Sequence, residues 1–189
     1  MIKIFVTGPP GIGKTTCVYK VFEMLKLYRY KVGGFITREV REGGKRIGFR
    51  IIELDEGLED WLANIHETSR YRIGKYYVFV DKLDSIINSI ENKITSYDAL
   101  IFDEIGPMEL LSSKFNTFIQ RTLNIPVPTV YTVHHKISNE LNKRFNTRYE
   151  NVLYILTTDN REGMPLIIWK ALSKYLQGMQ HDMWTRRSR

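Results

Sequence analysis

A single cysteine among 189 residues, Cys17, excludes an intramolecular disulfide and fits a reducing compartment. Cys17 falls in the first turns of a helix-like stretch, where a small buried apolar contact is its expected role. No apolar run approaches the length that spans a bilayer, and the run before Thr7 and Gly8 is too short for the core of an export signal. The expectation is a soluble, cytoplasmic protein with no membrane partner. Internal repeats, low-complexity tracts and linkers are also lacking, so nothing divides the chain. It reads as one domain over 1–178 followed by a basic tail over 179–189. Hydrophobic residues at 43% and charged residues at 26% are ordinary for a domain with a substantial core. Nothing specifies an oligomeric state, and a monomer is the expectation.

Acidic residues are the minority charge, 21 against 28 basic, which gives a net charge of +7 and implies an anionic partner. The basic residues are scattered, and the one dense cluster is the terminal Trp184-Thr-Arg-Arg-Ser-Arg189, which reads as a solvated tail. Recognition-helix, zinc-ligand and aromatic RNA-binding signatures are missing, so nucleic acid is not the expected partner. A nucleotide site satisfies the same charge balance.

A phosphate cradle is present. Gly8-Pro9-Pro10-Gly11-Ile12-Gly13-Lys14-Thr15 fits G-x-x-x-x-G-K-[ST] at every fixed position, after the apolar run Ile2–Val6 and before a helical spacing of Val18, Val21, Phe22 and Leu25. Strand, tight loop and helix N-terminus together aim backbone N–H groups at phosphate oxygens. Lys14 is expected to reach the β- and γ-phosphates, Thr15 to ligate Mg²⁺, and Thr16 to close the binding set.

The metal side of such a cradle needs a carboxylate. Ala99-Leu-Ile-Phe-Asp-Glu104 is a continuous apolar run that ends in two acids, the pattern of a strand buried on both faces of a parallel sheet. Asp103 is expected in the Mg²⁺ shell. Glu104, one position on, can hold a water in line with the γ-phosphate, which suits hydrolysis and not transfer to an acceptor.

Around these segments strands alternate with helices, an α/β pattern that predicts a mainly parallel sheet covered on both faces. Two extended runs, Phe35–Val40 and Ile47–Ile52, flank Gly43-Gly44 and predict an inserted antiparallel hairpin. Residues 55–74 read as a loop with a short helix, Tyr76–Val80 as a buried strand and Leu83–Ile94 as a helix. Further on, a helix is predicted through about Leu123, a strand at Thr129–Val133, a helix at Ile137–Phe145, a strand at Val152–Thr157 and a helix from Pro165 to about Leu176.

Several segments beyond the cradle carry a family likeness. Gly34-Phe-Ile-Thr-Arg-Glu-Val-Arg41 resembles G-F-x-T-x-E-V-R, Arg46-Ile-Gly-Phe49 resembles R-x-G-F, and Ile73-Gly-Lys-Tyr-Tyr-Val78 resembles V-G-x-Y-x-V. Asp103-Glu-Ile-Gly-Pro-Met-Glu-Leu110 matches D-E-I-G-x-M-E-L, and Asp159-Asn-Arg161 resembles a late E-N-R-D with its acids shifted. From Met1 to about Leu176 the chain is similar to the P-loop nucleoside-triphosphatase family of the thermophile type. The resemblance implies the P-loop three-layer sandwich and Mg²⁺-dependent hydrolysis of nucleoside triphosphates to diphosphate and phosphate with loose base selectivity. It also implies that Leu100, Ile101, Phe102, Asp103, Glu104, Ile105, Gly106 and Pro107 line the nucleotide site together with Gly8–Thr15. Arg161 stands at the correct sheet end to touch the nucleotide.

Two other classes compete with hydrolysis: a small nucleotide or metabolite kinase, and a nucleic-acid-associated regulatory ATPase. The kinase lacks support because the second half has no Arg-rich lid segment. Arg38, Arg41, Arg46 and Arg50 on the hairpin are each expected to be solvated, although any one can act as an arginine finger; His134 and His135 are expected to be solvated loop residues. No N-K-x-D signature or other base-reading motif occurs, and the cradle touches only phosphates. The kcat/KM values for ATP, GTP, CTP and UTP are therefore expected within roughly 30-fold of one another, and a preference above about 10³ for one base, measured under identical Mg²⁺, would reveal a dedicated base pocket.

Overall fold

A computed structural model describes residues 1–138 and 147–187, with the backbone alone from 177 onward. In chain order the strands are β1 (Ile2–Thr7), β2 (Val32–Glu42), β3 (Lys45–Glu53), β4 (Glu59–Asn64), β5 (Tyr71–Ile73), β6 (Tyr76–Val78), β7 (Ala99–Ile105), β8 (Thr129–Val133) and β9 (Glu150–Ile155). The helices are α1 (Lys14–Leu27), α2 (Val80–Asn92), α3 (Ser113–Asn124), α4 (His135–Ser138) and α5 (Met164–Arg187).

The strands form one sheet in the order β5-β6-β4-β3-β2-β7-β8-β1-β9. From β2 to β9 every neighbouring pair is parallel, and from β2 to β5 every pair is antiparallel. The parallel part is made of near-continuous apolar runs because helices cover both of its faces. Alternation along β1 shows this. Ile2, Ile4 and Val6 enter a core with Val18 and Leu25 of α1 and Ile168 and Leu172 of α5, whereas Phe5 enters the opposite core with Ile87 of α2 and Phe115 and Phe118 of α3. Cys17 is buried in the first of these cores, and burial pushes its thiol up to about 12, so it packs and does not react.

The antiparallel wing departs most from the sequence reading. Residues 59–64 and 71–73 are strands, not a loop with a short helix. Their mixed polarity has a local cause: Glu59 pairs with Arg38 of β2 at 3.0 Å, and Asp60 pairs with Lys82 of α2 at 2.9 Å. Tyr76–Val78 belongs to this wing and not to the buried parallel sheet. The helix expected directly after Glu109 is interrupted: a 3-10 turn spans Glu109–Leu111, and the Ser112 hydroxyl then accepts from Phe115 N at 2.9 Å to cap α3. β9 starts two residues earlier than the apolar pattern suggests, and α5 continues past Leu176 to Arg187. The helix expected at Ile137–Phe145 lies largely outside the described residues.

Lys3 joins the layers. Its side chain points from β1 into the core, is fully buried, and its Nζ shares its hydrogens among the carbonyls of Thr122 (2.7 Å), Ile125 (3.1 Å) and Val127 (2.8 Å) and Thr129 Oγ1 (3.1 Å). These acceptors are the C-terminal end of α3 and the link into β8, where the Thr129 hydroxyl also donates to Val127 O at 2.9 Å, so one amino group ties a helix end to a turn. Lys3→Met keeps the apolar stem but removes the donor that serves the buried Thr122 carbonyl, with an expected loss of about 1–3 kcal/mol. Urea unfolding at neutral pH checks this, and an unchanged midpoint would mean that the carbonyls find other donors.

Candidate active site

The chain leaves β1 at Thr7 and crosses Gly8–Gly13 before α1 begins at Lys14. Gly13 is the N-cap at φ +106°, a conformation open to glycine and strained for other residues. It offers no side-chain cap, and no acid occupies the first turn of α1. The first N–H groups of the helix therefore lack a side-chain acceptor and carry the positive end of the helix dipole, which makes a fitted anion site. Lys14 is only 8% exposed. It folds back over the loop, with Nζ 3.4 Å from Gly8 O and 3.4 Å from Glu104 Oε2.

Asp103 is fully buried at the C-terminal end of β7. Thr15 Oγ1 donates to its Oδ2 at 2.7 Å, Thr132 Oγ1 of β8 donates to Oδ1, and Thr37 N and Oγ1 of β2 lie at 3.5 Å. Burial raises its carboxyl to about 6 despite the hydroxyls, which favour the ionised form. Burial also raises Glu104, opposed by Lys14. Glu109 is buried as well and is raised to about 8, so it keeps a proton at neutral pH. A Cβ on Gly106 would sit 2.8 Å from Glu109 Oε2 and 3.2 Å from Glu104 Oε1, so glycine is what leaves room for both carboxyls.

A cavity of about 470 Å³ opens over this cluster. Gly11, Gly13, Lys14, Thr15 and Thr16 of the loop and helix line it, with Glu104, Gly106 and Pro107 from the end of β7. The hairpin contributes Glu39, Arg46 and Phe49. A second cavity, of about 620 Å³, shares Thr15, Thr16 and Thr37 and runs between α1 and the hairpin past Tyr19 and Phe22.

The sequence-predicted residues divide accordingly. Pro10 joins the cavity wall, while Pro9 is exposed beside it and Ile12 packs toward the α1 core. Gly8 lies against Leu156, where a Cβ would come within 2.7 Å of the carbonyl oxygen. The side chains of Leu100, Ile101, Phe102 and Ile105 fill the two cores and line neither cavity, because a central strand exposes only its end. Arg161 also lines neither cavity; it is 48% exposed and 3.7 Å from Glu162. His134 reaches the first cavity, where burial and the neighbouring His135 and Lys14 lower its pKa. Thr37, Thr132 and Glu109 were missed as site residues. Thr37 and Glu109 fall inside motif-like segments that pointed to them, whereas Thr132 in the strand Thr129–Val133 gave no signal.

A divalent cation fits this donor set. The described residues hold no cluster of three or more His, Cys, Asp or Glu that would cage an ion alone. Hydroxyl and carboxylate oxygens at Thr15 and Asp103 instead suit a hard cation that takes its remaining ligands from water and phosphate.

A family model described as NTPase matches residues 3–169. The chain belongs to that NTPase family. Nucleoside-triphosphatase THEP1 of Methanocaldococcus jannaschii is 41% identical over 180 residues, covering 95% of this chain and 100% of the relative. THEP1 of Sulfurisphaera tokodaii is 45% identical over 150 residues, covering 79% and 88%. Among solved structures, THEP1 of the hyperthermophile Aquifex aeolicus superposes with a TM-score of 0.74 at 32% identity, covering 90% of this chain and 98% of that one. A human cancer-related nucleoside triphosphatase superposes with a TM-score of 0.72 at 28% identity, covering 92% and 98%. None of the described helices is long and apolar enough to cross a membrane.

The raised carboxyl of Asp103 makes the stability of the metal-free protein depend on pH. Its folded value of about 6 lies above the unfolded value, so the native state holds the proton more tightly. Stability is then lost as pH rises through about 6. Asp103→Asn carries no charge to bury, so the metal-free variant is expected to gain on the order of 3 kcal/mol at pH 8 and almost nothing near pH 4. Thermal unfolding with a chelator at both pH values checks this; an equal gain at both would place the effect elsewhere.

Proposed function

We propose that the chain is a nucleoside-triphosphatase that hydrolyses ATP, GTP, CTP and UTP to diphosphate and phosphate with Mg²⁺ and little regard for the base. The observation that carries this reading is the placement of Glu104, a partly accessible carboxylate that faces an open cavity and lies 3.4 Å from the cradle lysine. A kinase would shield that position from water. The family relationship and the names of the relatives support the same reaction.

The amides of Gly13–Thr16 and the Lys14 ammonium hold the β- and γ-phosphates. Thr15 and Asp103 hold Mg²⁺, which when bound neutralises charge on the phosphate oxygens. As the phosphate chain arrives, Lys14 turns from Glu104 to the phosphates, and the freed carboxylate accepts a hydrogen bond from a water. That water attacks the γ-phosphorus, its proton passes to Glu104, and the bond from the γ-phosphorus to the bridging oxygen breaks to release the diphosphate. The base meets none of these groups, which accounts for loose selectivity. The fold is read as the P-loop three-layer sandwich with the β2–β3 hairpin inserted, and the protein as a cytoplasmic monomer whose basic tail over 179–189 lies outside the catalytic unit.

Phosphate release by the purified protein with Mg²⁺ and no acceptor tests the reaction; no release in the absence of any acceptor would favour transfer chemistry instead. Glu104→Gln keeps size and hydrogen bonding, so nucleotide affinity should persist while turnover falls by roughly 10²-fold or more. Wild-type turnover in that variant would move the water-positioning role to another residue.

A further inference from the structure

Four arginines stand on the β2–β3 hairpin, and the fold sends them to different places. Arg38 pairs with Glu59 at 3.0 Å along the wing. Arg50 lies over the Trp61 ring, 4.2 Å from its centroid, with Glu59 at 3.8 Å. Arg41 donates to Gly44 O at 2.8 Å at the hairpin tip and pairs with Glu39. Arg46 alone of the four lines the cavity that opens on Gly13, Lys14 and Glu104.

The surroundings of Arg46 hold its guanidinium without consuming it. The ion pair to Glu39 runs through Nε, and the guanidinium carbon lies 5.3 Å from the centroid of Phe49, which lines the same cavity. A guanidinium donates through a planar fork, so a contact at Nε leaves Nη hydrogens to face an oxyanion. Arg46 and Glu39 are both partly exposed, and a pair of that kind is weak and readily exchanged for phosphate. Lys14 reaches this cavity from the glycine loop and Arg46 reaches it from the hairpin, where charge on the transferring phosphoryl group would otherwise have no cationic partner from that element.

We propose that Arg46 is the residue that stabilises the γ-phosphoryl group in the transition state, an arginine finger supplied by the chain's own hairpin and parked on Glu39 until substrate arrives. This rests on the hydrolase reading given above. No atoms transfer to Arg46; its N–H groups strengthen their hydrogen bonds to the equatorial oxygens as the bond to the diphosphate breaks.

The test is steady-state hydrolysis of MgATP by the full chain with Arg46→Ala, Arg46→Lys and Arg50→Ala, together with binding of ADP and of ADP with aluminium fluoride. Arg46→Ala should lower kcat about 10³-fold, the low end for such a residue, with KM and ADP affinity within about threefold of wild type and the gain from aluminium fluoride lost. Arg46→Lys keeps the aliphatic stem and the charge but not the fork, and should still lose at least about tenfold in kcat. Arg50→Ala should turn over like wild type. An Arg46→Ala enzyme with wild-type kcat, a loss confined to KM, or full retention of aluminium fluoride binding would overturn the assignment. Absence of hydrolysis by the wild-type protein would instead overturn the hydrolase reading, so the two failures are distinguishable.

Discussion

The Asp103 carboxylate is the constraint around which the chain is arranged. A fully buried carboxylate is costly unless it is hydrogen-bonded, and three hydroxyls from three separate elements, Thr15 of α1, Thr37 of β2 and Thr132 of β8, converge on it. Those contacts need β2 and β8 on either side of β7, as the sheet order has them. β8 lies between β1 and β7, which spaces the glycine loop from the carboxylate and lets Thr132 enter from beside β7. The hydroxyls soften the burial of charge without abolishing it, as the raised pKa shows. A site in this condition is ready for a cation, because the energy withheld from folding is available to binding.

The second organising contact is the ion pair of Lys14 with Glu104. Without nucleotide each is the other's partner, which keeps two largely buried charges compensated. On the proposed reading, substrate dissolves that pair by offering Lys14 a more highly charged anion. Glu104 then faces water without the Lys14 ammonium against it and becomes a better proton acceptor at the moment it is needed. Glu109 favours the same outcome. It is buried next to Glu104 and keeps its proton at neutral pH, so it adds no second negative charge that would hold Glu104 protonated.

What could be read from the sequence was local. Strand, loop and helix around Gly8–Thr15 lie within a single stretch of chain, and the run Ala99–Glu104 announces its burial and its acids together. Residues 55–74 were opaque because a strand covered on one face and laced with ion pairs such as Glu59 to Arg38 has no apolar signature. Thr132 was opaque because its partner is 29 residues away and nothing in a run of Thr and Val marks one hydroxyl as a ligand. The hairpin arginines failed for a geometric reason. Strict alternation would send Arg46 and Arg50 to one face, but the pairing of β2 with β3 passes from Gly48 to Arg46 and skips Ile47, so the two side chains part company.

The length of β2 links the sheet to the cavity. β2 pairs in parallel with β7 only from Val32 to Phe35, beside Ala99 to Phe102, yet it continues to Glu42. The seven residues beyond Phe35 carry it roughly 20 Å past the last paired position at a strand's rise per residue. In that overhang its one remaining partner is β3, and the two strands form a wall above the C-terminal edge of the parallel sheet, across from the glycine loop. Thr37 lies at the base of the wall, within reach of Asp103, and Glu39 lies two residues higher on the same face. A parallel sheet alone would leave the phosphate cradle open on that side. The inserted hairpin gives the cavity a second surface, which carries the Arg46 guanidinium paired with Glu39.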